Sequence, residues 1–128
     1  MARLQWAHIC DHAFLDQHGK PCLVGLFDRI LSPRVPAVHR QAALAFRIVG
    51  NPRETVTVRV LLLPPGPDEP LIDLTNPEVD LGPSGVHDAV LPLHDLRFQQ
   101  FGSYELRIEL DSEPVTAAIF VVERPLIQ

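Results

Sequence analysis

Between Thr55 and Leu63 the chain reads TVTVRVLLL and then stops at Pro64-Pro65-Gly66-Pro67. Val56, Val58, Val60 and Leu62 fall on one side of an extended backbone, Thr55, Thr57 and Arg59 on the other. That period of two is what a half-buried strand requires. The same grammar recurs along the whole chain: short alternating runs separated by turn residues. Thirteen prolines in 128 residues, about twice the usual share, supply most of the punctuation. No window repeats every 3.6 residues between helix caps, so a β-rich fold is the reading the pattern allows.

The first run is Gln5 to Leu15 and the second Cys22 to Leu31, joined by Asp16-Gln17-His18-Gly19-Lys20. Gly19 can take the positive φ of a tight hairpin turn. Gln41 to Val49 alternates with Ala42, Leu44, Phe46 and Ile48 inward. Leu71–Leu74 and Val86–Leu93 are the fifth and sixth runs. Leu96–Gly102 is either one helical turn capped by Asp95 or an irregular corner. In the seventh run Tyr104, Leu106, Ile108 and Leu110 face in, against Glu105, Arg107, Glu109 and Asp111. Val115–Val122 is the last. Seven to eight short strands with turns about every ten residues predict a single antiparallel β-sandwich domain over residues 1–128.

The totals exclude several classes. A net charge of −5 opposes a phosphate backbone, so no nucleic-acid partner is expected. No stretch approaches the roughly 20 apolar residues of a membrane helix. Met1-Ala2-Arg3-Leu4-Gln5-Trp6 leads into a strand without an apolar leader, and there are only two cysteines. Both features predict a cytoplasmic setting. Ten of the eleven basic residues are arginine, which suits interface pairing, although a codon bias gives the same count.

The segment ICDHAFLDQHGKPCLVGLFDRI holds the residues with chemistry. His8 and His12, four apart on a strand, lie about 13.6 Å from each other, too far for one metal. His8 and Cys10 are about 7 Å apart and supply two ligands at most, so no metal or cofactor is expected. With a two-residue turn at His18-Gly19, Cys10 faces Phe27, Cys22 faces Leu15, Ile9 faces Asp28 and His8 faces Arg29. The cysteines then sit on opposite faces roughly 17 Å apart, beyond disulfide reach. Asp11, Asp28 and Arg29 interrupt apolar runs. They are read as structural polar residues, one of them pinning a loop through backbone N–H groups. The alternative is a small-molecule-binding or catalytic domain that uses these three. His18, His39, His87 and His94 are scattered, and no Ser-His-Asp order, phosphate loop or CxxC motif accompanies them, so an enzyme is not expected.

The first, second and last runs are apolar on both sides, and a second apolar face must be covered. The preferred expectation is a non-enzymatic protein–protein interaction or assembly module, self-associating or part of a larger assembly. Trp6, Phe14, Phe27 and Phe120 are its candidate partner-facing residues, since aromatic anchors fill interface cores.

Two resemblances add to this. Phe101-Gly102-Ser103-Tyr104-Glu105-Leu106 resembles the tyrosine corner that opens a late strand in immunoglobulin-like domains. The pieces ICDHAFLDQHGK, GLFDRI, PAVH and GSYELRIELD resemble an uncharacterised family of short bacterial proteins. That resemblance implies an immunoglobulin-like sandwich and carries no activity.

Overall fold

In the computed structural model, which describes residues 1–126, the alternating runs become strands and no helix forms among the described residues. In chain order the strands are β1 (Arg3–Leu15), β2 (Pro21–Leu26), β3 (Arg29–Leu31), β4 (Ala37–Val49), β5 (Thr55–Leu63), β6 (Ile72–Asp80), β7 (Val86–Phe98), β8 (Gly102–Leu110) and β9 (Glu113–Glu123). Two sheets result, of order β2-β1-β4-β7 and β3-β9-β8-β5-β6. The expected two-sheet sandwich is what forms, with nine strands rather than seven or eight.

The ninth strand comes from the second run, which is two elements. Its first part, β2, pairs antiparallel with β1, and its end, β3, crosses to the other sheet to lie parallel to β9. Phe27 and Asp28 make the crossing. The Phe27 amide donates to Ile9 O at 3.4 Å in the first sheet, and Asp28 O accepts from the Val121 amide at 3.0 Å in the second. One side of the sandwich is thereby stitched shut. On the opposite side β6 and β7 are the sheet edges and do not pair with each other.

The cleanly alternating runs behave as their patterns require. Val56, Val58, Val60 and Leu62 meet Leu44, Phe46 and Ile48 across the core, with Tyr104, Leu106, Ile108 and Leu110 beside them. Burying each such side chain contributes about 1.5–3 kcal/mol. The stretch after Leu93 is not helical. β7 runs on to Phe98, and Asp95, at φ 53°, slips the alternation so that Leu96 and Phe98 follow Leu93 into the core. Gln99–Phe101 is then an irregular corner, closed by Tyr104. Its hydroxyl donates to Gln100 O at 2.7 Å and accepts from the Gln100 amide at 3.3 Å. The buried ring stacks on Phe120 (5.6 Å between centroids) and meets Phe98 edge-on (5.0 Å). Burial pushes the Tyr104 phenol above its ordinary pKa, which keeps the donor protonated.

The β1–β2 register differs from the expected one by a single residue. Phe14 pairs with Cys22 and Cys10 with Leu26. The cause is loop length. The Gly19 amide donates to Asp16 O and the Asp16 amide to Lys20 O, both at 2.9 Å, with Gly19 at φ 78°. This is a three-residue loop ending in a left-handed glycine rather than a two-residue turn. One residue of slip moves every β2 side chain to the other face. Cys10 and Cys22 therefore stand four rungs apart on the ladder, and both remain free thiols.

Candidate functional site

The outer face of the first sheet, turned away from the core, gathers most of the singled-out residues. A bulge at Gln5 turns Trp6 outward, opposite Arg47, while Leu4 and Ala7 still face Ile48 and Phe46. The Trp6 ring lies 5.8 Å from that of His8 in a stacked arrangement, and the Arg47 guanidinium stands 5.7 Å from the indole. Arg47 is held there by Asp88 through two donated hydrogen bonds, Nε to Oδ1 at 2.6 Å and NH2 to Oδ2 at 3.0 Å. That carboxylate raises the arginine's pKa further. The pairing is bidentate and partly buried, which makes it a geometric anchor.

Below Trp6 the face is made of small residues, Ala45, Ala43 and Cys10, all buried. The Cys10 thiol donates to His12 O at 3.2 Å and to Ala43 O at 3.5 Å. Burial raises its pKa, which holds it as a thiol and not as the thiolate a metal needs. His12 accepts from Gln41 Nε2 at Nδ1, 2.9 Å away. His8 and Cys10 are thus committed to other contacts, and no cluster of three or more metal-ligating side chains occurs among the described residues.

The far half of the hairpin does not run straight on. Pro21 and Leu23 share a shallow hollow with Trp6 and His8. Yet Leu23 pairs with Ala13, seven residues from Trp6 and about 24 Å along a straight strand. The hairpin is therefore bent back over the sheet. The hinge is Gly25, at φ 74°, between the pairs Cys10–Leu26 and His12–Val24. The Asp11 carboxylate lies against it: a Cβ there would meet Asp11 Oδ2 at 2.6 Å. Only glycine satisfies both the φ and the close approach.

The bend sorts the exposed apolar residues. Beyond the hinge Phe14 (52% exposed) and Val24 (54%) share a face of the hairpin, while Leu26 (60%) is exposed just before the hinge and Leu15 near the tip. Of the four aromatics expected to face a partner, Phe14 alone is freely exposed. Trp6 is half-buried in its stack. Phe27 and Phe120 require correction. Phe120 is fully buried, and Phe27 packs edge-on against it at 5.8 Å, with His39 at 5.3 Å on the other side. The crossing at Phe27 packs that ring, partly buried, against the core instead of leaving it on the hairpin. Val24 and Leu26 were missed because the assumed turn was one residue too short; Asp16-Gln17-His18-Gly19, with glycine at the third loop position, is the available signal.

Asp11, Asp28 and Arg29 do not converge. Asp11 Oδ1 lies 3.6 Å from His39 Nε2, a buried nitrogen that has no hydrogen-bond partner; the two pair when the imidazole is protonated. Asp28 is exposed at the crossing, in a hollow that neither of the other two lines. Arg29 Nε pairs with Glu123 Oε1 at 2.9 Å on the other sheet, both ends well exposed. In this segment the loop is pinned by Asp16, whose Oδ1 accepts from the amides of His18 (2.8 Å) and Lys20 (2.9 Å). The expected opposition of Ile9 to Asp28 and His8 to Arg29 is also absent, since that part of the run has left the hairpin.

No helix of the described residues is long and apolar enough to cross a membrane. No curated protein matches the chain. A family model does, over residues 5–123, from within β1 to the end of β9. The chain therefore belongs to DUF6941, a family of unknown function.

Proposed function

We propose that the domain is a non-enzymatic protein–protein interaction or assembly module whose contact face is the bent β1–β2 hairpin. The observation that carries this is the exposure of Phe14, Val24 and Leu26 on one hairpin held in a fixed pose. Apolar side chains exposed on a pinned hairpin lose little freedom on binding, which favours association. The loop lock at Asp16, the Gly25 hinge and the Arg47–Asp88 anchor all serve that pose. The cytoplasmic setting belongs to the same reading and is supported by two unbridged cysteines. So does the immunoglobulin-like relationship, supported by the Tyr104 corner.

The test compares wild type with a Phe14→Asp/Leu26→Asp double variant. Both are run by sedentation-velocity ultracentrifugation over a wide concentration range and used as bait from the native host. The expected result is self-association, or a co-purifying protein, that the variant loses while its Tm is retained. A wild type that stays monomeric and captures nothing the variant does not would sink the reading.

A further inference from the structure

The side of the sandwich opposite the stitched edge is open, and a groove runs there between β6 and β7. Its first part is an apolar hollow of about 210 Å³ over Phe46, Ile48 and Val60, with Leu74, Ala89 and His87 at the mouth. Further along, Leu71, Ile72, Leu93 and Leu96 line a second, shallower trough between the same two strands. The first hollow is below the roughly 300–1,000 Å³ of small-molecule sites. It is instead the size of one or two large apolar side chains.

The walls are strand edges, and they differ. β6 carries Pro77 and a register shift against β5 between Val56 and Val58, both of which blunt an edge. β7 is 13 residues long, and from Val86 to Leu91 it has neither proline nor lysine. Pro92, which pairs with Ala43, fixes which amides are free. It has no N–H, so the ladder to β4 is satisfied when the backbone groups at that position point away from β4. In an antiparallel strand the alternate residues Val90, Asp88 and Val86 then point the same way, into the open groove.

The charge is one-sided too. Residues 68–97 contain seven carboxylates and one arginine. Asp73, Asp80 and Asp88 are paired with Arg59, Arg53 and Arg47 from outside this segment, which leaves Asp68, Glu69, Glu78 and Asp95 against Arg97 alone along the stretch that flanks the hollows.

We infer that this groove takes an extended segment of another polypeptide, which adds as a fifth strand to the first sheet along β7. The segment places two bulky apolar side chains about four residues apart, one in each hollow, and carries basic residues at its flanks. Main-chain bonds to Val86, Asp88 and Val90 supply the grip, the two hollows set register, and the carboxylates beside the hollows choose the sign of the flanks. The site is on the opposite edge of the sheet from the β1–β2 hairpin and stands or falls independently of it.

The probe is a fluorescent nonapeptide of threonine and serine with leucine at its third and seventh positions and lysine at both ends, followed by fluorescence polarisation. Binding is expected with wild type and with Phe14→Asp/Leu26→Asp, falling as salt rises. It is expected to weaken at least tenfold with Val90→Pro, which removes an outward N–H where Pro92 shows proline is tolerated. Ala89→Phe, which fills the first hollow from inside, is expected to do the same. Either variant suffices if the other fails to fold. Wild type that does not bind, undiminished binding by both folded variants, or equal binding of peptides with adjacent leucines or glutamate ends overturns the inference. Self-association of wild type that Val90→Pro abolishes also overturns it, since the occupant is then a second copy.

Discussion

The two sheets turn very different outer faces to their surroundings. On the second sheet Arg59 bonds Asp73 through both Nε and NH2 at 2.9 Å and reaches Glu109 at 3.6 Å. Beside it, Glu105 accepts from Arg107 and from Thr116. On the first sheet one ion pair, Arg47–Asp88, stands beside Trp6 and His8 over a floor of Ala43, Ala45 and Cys10. Charges laid across neighbouring strands suit a face that meets water, because each stays solvated while paired. Small apolar residues under a folded-back hairpin suit a face that is covered. β5 and β8, which alternate strictly in sequence, belong to the first kind, and β1 and β2, apolar on both sides, belong to the second. β4 and β9 follow neither rule, since β4 alternates yet lies in the first sheet and β9 is apolar on both sides yet lies in the second.

The sharpest way to break this contrast is to put a charge on the covered face. Ala43→Asp places a carboxylate between Cys10 and Pro92 with no cation opposite, and is expected to cost at least about 3 kcal/mol by urea denaturation. An outer face as wet as that of the second sheet would absorb it with little loss. Next in size is the hinge. Gly25→Ala forces a side chain into left-handed backbone against Asp11 and is expected to cost about 1–2 kcal/mol. Adding Asp11→Ala should recover part of the loss, by removing the collision but not the backbone strain. Full recovery, or none, would show that the bend does not depend on that contact.

The smallest effect concerns the wet face. Asp73 and Glu105 are held below the ordinary carboxylate range, Asp73 by its hydrogen bond from Arg59 and Glu105 by those from Arg107 and Thr116. Glu54 and Asp80 are lowered chiefly by backbone amides, of Asn51 and Gly82. A carboxylate with a depressed folded-state pKa stabilises the fold at pH values above its unfolded pKa, about 4, and that contribution disappears as pH falls through the depressed value. Melting temperature is therefore expected to decline below about pH 4. Arg59→Met should flatten part of that decline by lowering melting slightly at pH 7 and not at the acid end, a small effect because both partners are well exposed. An unaltered acid profile would remove Asp73 from the account.

How far these features were legible depends on the strand. In β5 and β8 the alternation alone specified element, face and core residues, because one side of each strand meets water and the other does not. In β6 it showed only the first few residues. The rest, Thr75 to Asp80, is a polar, mostly exposed edge with no pattern to read. The candidate site was less legible still. The Gly25 hinge and the Arg47–Asp88 anchor join residues 14 and 41 positions apart, and nothing local announces either.

What the chain's own pattern determined is the class: short period-two runs cut by proline and glycine bury one face each, and two stacked sheets are the economical way to do so. What only the tertiary structure decided is which faces are left over. A three-residue loop in place of two inverts β2, and the crossing at Phe27–Asp28 sends Phe27 toward Phe120 in the core. The bend at Gly25 then covers Trp6 and exposes Phe14, Val24 and Leu26. Each depends on one residue of register or one backbone dihedral. In a sheet with a side-chain period of two, so small a change exchanges inside for outside.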